Sequence, residues 1–125
     1  MTPSSADDDL VARVRGMFEE VMNRRRPEAL ADYVADDLID HTPGPDQGPG
    51  LAGLASMVNL MLNASPSLRV VVDDVIVQGD RVAVRETWHT VRGIQQIAHF
   101  FRFAGGLIVE EWSMGWDDPA RADEG

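Results

Sequence analysis

The apolar residues of this 125-residue chain change their spacing at Pro66. Before it they recur every three or four positions; beyond it they alternate. The first period belongs to helices and the second to strands. That switch sets the fold class as α+β, with three N-terminal helices packed on one face of a strongly curved antiparallel sheet.

The individual elements follow from the same pattern. Residues 7–25 predict a helix, with Leu10, Val14, Met17, Phe18, Val21 and Met22 in one stripe and Asp7, Asp8 and Asp9 at its positive end. Pro27 opens a second, shorter helix carrying Leu30, Tyr33 and Val34 on one face. A third runs from about Leu51 to Ala64, with Leu54, Met57, Val58, Met61 and Leu62 inward, and Pro66 stops it. Four strands are expected: Leu68 to Gln78, Arg81 to Thr90, Gln96 to Phe103 and Leu107 to Trp116. The whole chain, residues 1–125, reads as one domain with an ordered core of about 8–117. The N-terminus and the acidic C-terminal tail are expected to be flexible.

Between the second and third helices lies "DHTPGPDQGPG", residues 40–50, with an Asp-His pair at its start. Its prolines and glycines exclude regular structure, so it either carries function or spaces two elements. A sheet folded over helices leaves an apolar pocket open at one end, and this loop belongs at its rim.

Charge and motifs exclude several function classes. A formal net charge of −10 is a poor match to nucleic acid. The one basic cluster, Arg24 to Arg26, falls where a helix should end and complements its dipole. No apolar run approaches the roughly 20 residues of a membrane span. The polar, acidic start is wrong for a secretory leader, so a cytoplasmic location is expected. There is no cysteine, hence no disulfide and no thiolate metal site. The three histidines are dispersed and form no local metal motif. "GPDQGPG" lacks the Gly-Lys-Ser/Thr of a phosphate loop, and neither a dinucleotide fingerprint nor a nucleophile elbow is present. No cofactor or metal is expected.

The last hairpin can be registered. Taking Ala104, Gly105 and Gly106 as a three-residue loop pairs Phe103 with Leu107, Phe101 with Val109, His99 with Glu111 and Ile97 with Ser113. One face then holds His99 and Glu111 among Ile97, Phe101, Phe103 and Val109. A carboxylate opposite a histidine in an apolar cavity suits cofactor-free proton transfer. The same pair also occurs as an ordinary surface contact, and a one-residue slip would turn every side chain over. The opposite face carries Phe100, Arg102, Ile108, Glu110, Trp112, Met114 and Trp116, and such an aromatic surface predicts a homodimer through Phe100, Trp112, Met114 and Trp116, the alternative being that the N-terminal segment or the acidic tail folds over it. His41 either points into the cavity mouth or bonds loop backbone. His89 is expected to face solvent. Arg85, mid-strand, either faces inward to a substrate oxygen or outward to an acid on the neighbouring strand.

The segments "LIDHTPGPDQGPGLAGL", "VVVDDVIVQGDRVAVRETW" and "HFFRFAGGLIVEEW", in that order, resemble the SnoaL-like polyketide cyclase family of the nuclear transport factor 2-like superfamily. The likeness runs from about Val11 to Trp116. It implies a cone-shaped barrel, often dimeric, and cofactor-independent acid/base chemistry. In that family the last strand carries His-Trp-Asp, whose aspartate is the acid/base. Here the matching run is Glu111, Trp112 and Ser113, and His99 matches the family histidine on the preceding strand. Ser113 cannot be the same proton-transfer group, which separates the chain from anthracycline-type ring closure. A long insertion usual between the two middle strands is replaced by "HTVRGIQQ", leaving the pocket without part of a wall. Limonene-type epoxide hydrolysis fits less well, because the residue two after Arg85 is Thr87 and not an acid.

The expected activity is therefore proton transfer next to the carbonyl of a small apolar polyketide- or terpenoid-like ligand. His99 and Glu111 carry the proton, His41 or Arg85 binds the oxygen, and Phe18, Tyr33, Met57, Met61, Phe101 and Ser113 surround the substrate. The rival is a non-catalytic small-molecule-binding module.

Overall fold

A computed structural model describes residues 5–117, with side chains through Gly115. Residues 1–4 and 118–125 of the expected flexible ends and the Trp116 side chain lie outside the described residues, while residues 5–7, expected to be flexible, are helical.

The first helix, α1 (Ser5–Met17), widens without a break into π-helical turns over Phe18–Asn23. Val14, Met17, Phe18, Val21 and Met22 are buried, as their spacing requires. Asn23 then docks this helix on the sheet: its side-chain amide donates to the Val70 carbonyl at 2.9 Å, and its carbonyl oxygen accepts from Val70 N at 2.7 Å. The arginine cluster divides its work. Arg24 and Arg26 pair with Glu19 and Glu20, while Arg25 donates to the carbonyls of Leu62 and Ser65. Arg25 thus complements the negative end of the other long helix rather than its own.

A 3-10 helix, Pro27–Asp32, follows, and here the structure departs from the pattern reading. The helix ends before Tyr33, and Val34–Asp40 is a strand, β1. It runs parallel to the last strand, pairing Val34 with Ile108 and Asp40 with Glu111. The register is irregular between Val34 and Ile39, and the two buried residues, Val34 and Leu38, stand four apart with Asp36 between them exposed. Four is an even, strand-compatible interval and also a helical one.

Helix α2 (Gly50–Ala64) and strands β2 (Arg69–Gln78), β3 (Arg81–Thr90), β4 (Gly93–Ala104) and β5 (Leu107–Asp117) complete the described residues. The curled sheet has five strands in the order β1-β5-β4-β3-β2, so it is mixed and unclosed rather than four-stranded and wholly antiparallel. The loop of residues 41–49 lies against the start of α2: a Cβ on Gly53 would fall 1.7 Å from the Gly48 carbonyl oxygen. β4 starts three residues earlier than expected, because Val91 and Arg92 alone form the connection from β3.

The last hairpin corrects the predicted register. Gly105 and Gly106 both have positive φ, 58° and 79°, and form a two-residue turn that leaves Ala104 paired with Leu107. Phe103 pairs with Ile108 and Arg102 with Glu110, so Val109 is the extra residue of a bulge. Ile108, expected on the outer face, is buried in the core at 2% exposure. Beyond the bulge the two shifts cancel in parity. His99 and Glu111 remain on the inner face, but His99 is now opposite Ser113 and Glu111 opposite Phe101.

Candidate functional site

Strand β3 buries Val82, Val84, Glu86 and Trp88 on one face. A carboxylate in that stripe, with no exposed surface at all, requires partners. It has two. Trp88 Nε1 donates to Glu86 Oε1 at 3.0 Å. The His99 ring, reaching across from β4, places Nδ1 2.8 Å from Oε1 and 2.9 Å from Oε2. With Nδ1–H donated to Glu86, the other ring nitrogen is left for other work. His99 Nε2 lies 3.8 Å from Glu111 Oε2. The imidazole is clamped by rings as well, stacked on Phe101 at 5.2 Å and tilted against Phe18 at 5.7 Å.

The electrostatics follow from burial and charge. Burial is the largest effect on His99 and opposes its charged form, but the hydrogen bond and charge of Glu86, with Glu111 and Asp40, outweigh it and raise the histidine above its ordinary value. Burial pushes the Glu111 carboxyl up to about 7. The nearby His99 lowers it, while Asp40 and Glu86 raise it further. One group is thus favoured as a cation, and its neighbour changes protonation near neutrality.

Two adjoining chambers open beside this pair, sharing Leu54, Met61, Trp88, His99 and Glu111 as walls. The inner one, about 80 Å³, is enclosed by Phe18, Val58, Phe101 and other core residues. The outer, about 430 Å³, is bounded by Met57, Leu68, Ile97, Ser113 and the loop after β1. That loop is tied down by Asp40, whose Oδ1 accepts from Thr42 N and whose Oδ2 accepts from Gln47 Nε2, both at 2.9 Å. Gln47 Oε1 in turn accepts from Gly44 N, and the Thr42 and Ser113 hydroxyls meet at 3.0 Å. The Pro- and Gly-rich segment therefore both spaces β1 from α2 and walls the outer chamber.

Of the residues singled out in the sequence, His99 and Glu111 come together, and Phe18, Met57, Met61, Phe101 and Ser113 border the chambers. Three do not. His41 is stacked on Trp112 at 4.4 Å on the other side of the sheet, with Nε2 3.1 Å from Glu110 Oε1. Arg85 faces outward to Asp74 and Asp73, because alternation sends it opposite to Val84 and Glu86. Tyr33 donates its hydroxyl to Glu20 and lies under the Arg13 guanidinium, away from both chambers. Glu86 is the residue that sequence reading missed. Its signal is parity: it shares the phase of Val82, Val84 and Trp88.

Among the described residues there is no group of three or more His, Asp or Glu side chains able to hold a metal ion. No helix among them is long and apolar enough to cross a membrane.

The family model of the SnoaL-like domain matches residues 14–111. A SnoaL-like polyketide cyclase from Agrobacterium tumefaciens shares 18% identity at a TM-score of 0.73, covering 92% of this chain and 95% of that one. A loop-truncation variant of IdmH shares 24% identity at a TM-score of 0.74, covering 94% and 97%. An NTF2-like protein of unknown function from Mesorhizobium loti shares 19% at 0.73, covering 93% and 98%. At these identities the solved structures establish likeness of fold. No curated protein sequence matches this chain.

Proposed function

This chain is a member of the SnoaL-like domain family, and we propose that it is a cofactor-independent acid/base enzyme, cyclase- or isomerase-like, acting on a small apolar carbonyl compound of polyketide or terpenoid character. One observation carries the reading: a buried Glu86–His99–Glu111 chain ends at the wall of an apolar cavity. We read the curled sheet and its helices as the cone-shaped cup of this family, with the substrate in the outer chamber and its reacting end between Trp88 and His99.

In the proposed reaction Glu111, as carboxylate, takes the proton from the carbon beside the carbonyl. The C–H electron pair becomes the enolate double bond, and the carbonyl π pair moves to oxygen. His99 Nε2–H donates to that oxygen as charge develops. The enolate carbon then either attacks a second carbonyl of the same molecule, whose π pair moves to its oxygen and takes the proton back from Glu111 as the ring closes, or, where the enolate is conjugated with a C=C bond, the remote carbon of the dienolate takes that proton and the double bond shifts. Glu86 holds Nδ1 throughout, so Nε2 keeps its aim. Phe18, Met61 and Phe101 exclude water. His99 takes the oxygen-binding role that His41 and Arg85, on the far side of the sheet, are not placed to fill.

The rival, a ligand-binding module without turnover, is favoured by one residue. Ser113 stands where the resembling cyclases carry their acid/base, and its hydroxyl is spent on Thr42. Loss of deuterium from the α-position of acetylnaphthalene, followed by NMR, separates the two. Exchange that falls at least about a hundredfold in Glu111→Gln and His99→Ala supports the enzyme. Ligand binding with no catalysed exchange in the wild type supports the module.

We further propose a homodimer through the outer sheet face, where Phe100 and Met114 are 44% and 52% exposed beside Trp112.

A further inference from the structure

The outer chamber is bipolar. His99, Glu111, Asp40 and Ser113 gather at one end. The β3–β4 turn forms the other end with Thr90 and Arg92. Leu54, Met57, Met61, Leu68 and Ile97 are the apolar stretch of wall. From Gly93 to His99 the wall follows β4 for six steps, about 20 Å of strand.

Arg92 is unlike the other arginines near the fold's working parts. Arg85 and Arg102 are held by carboxylates, Arg25 by carbonyls, and Arg13 and Arg81 lie over aromatic rings. Among the described residues the Arg92 side chain has no such partner, although the chain carries a net charge of −10 and acids are plentiful. It is also the one arginine among the residues that line the chamber, at an exposed position in the β3–β4 turn.

We infer that the ligand of this chamber is an apolar carbonyl compound bearing a carboxylate at its far end, and that Arg92 binds that carboxylate. The inference rests on the reading of His99 and Glu111 as the reacting end. The charges select one orientation. At the reacting end the His99 imidazolium is already matched by Glu86 and Glu111, whereas Arg92 at the far end has no such carboxylate among the described residues, so the ligand's carboxylate goes to Arg92. The planar fork of arginine matches a carboxylate with two parallel hydrogen bonds.

The test titrates a 4-(acetylnaphthyl)butanoate, which carries a free carboxylate, and its methyl ester into the full chain, read by quenching of tryptophan fluorescence and by calorimetry. The wild type is expected to bind the acid at least about tenfold more tightly than the ester. Added salt should erode that preference and leave the ester unaffected. Arg92→Gln should bring the acid down to the affinity of the ester without changing the ester, and Arg92→Lys should restore part of the preference. Equal affinities in the wild type, or a preference that survives Arg92→Gln, overturn the role of Arg92 and leave the proton-transfer reading standing. Deuterium exchange insensitive to Glu111→Gln does the reverse. If neither compound binds, both readings fall.

Discussion

Glu86 grips His99 with both carboxylate oxygens, at 2.8 and 2.9 Å, from a position on β3 with no exposed surface. The two residues are not directly opposite: Val84 is the cross-strand neighbour of His99, and Glu86 that of Ile97. The contact is thus a diagonal one, reached because both side chains project into the same cup. It gives the imidazole a fixed direction, and the consequences can be measured.

Glu86→Gln keeps the shape of the side chain but removes the charge that favours the imidazolium. Stability should fall by about 1–3 kcal/mol in urea titration. The larger change to Glu86→Ala, which strands His99 and Trp88 Nε1 without an acceptor, should cost about 3–5 kcal/mol. The His99 titration followed by NMR should move downward in Glu86→Gln. A positioning role further predicts that exchange catalysis falls while affinity for acetylnaphthalene stays near wild type. A His99 titration unchanged in Glu86→Gln would contradict the geometry.

Stability should fall as pH rises through the acidic range toward neutrality. Glu111 loses its proton near 4.5 when unfolded and near 7 when folded. Between those values the native state binds the extra proton, so raising pH favours unfolding. The displacement corresponds to about 3 kcal/mol. His99 acts in the same sense: its raised value stabilises the fold below its ordinary pKa, and this is lost as pH climbs through the folded one. Glu111→Gln should flatten the curve of unfolding free energy against pH over that window. Proton-transfer activity should be bell-shaped, rising as Glu111 ionises near 7 and falling when His99 loses its charge.

The outer sheet face should hold two copies together. Sizing over a dilution series is expected to give the mass of a dimer at high concentration. The double change Phe100→Glu with Met114→Glu should give a monomer of unchanged circular dichroism, since both side chains are exposed in the single chain. A monomeric wild type at every concentration would remove the dimer.

Most of the sheet was legible because β2 to β5 are ten residues or longer and each contains an apolar stretch with strand-like alternation. β1 was not legible, because its buried residues, Val34 and Leu38, stand four apart and mimic a helix face. Of the site, His99 and Glu111 were found by parity alone, and parity survived an incorrect turn. Arg85 had both orientations open until β3 was fixed. The same alternation that sends it to solvent carries Glu86 inward, but a carboxylate in a valine stripe reads as an outward residue until its partners are known. The contact between Glu86 and His99 depends on how far the sheet curls, which no spacing in the chain expresses.

The unpaired Val109 has a consequence for how such a hairpin can vary. It acts as a phase adjuster between the glycine turn and the remainder of β5. With two residues in the turn and no extra one after it, Glu111 would be carried to the outside of the sheet and Trp112 driven into the cup. Turn length and bulge are therefore coupled: lineages that lengthen or shorten the tip by one residue must add or remove the bulge in the same step, or lose the acid from the interior.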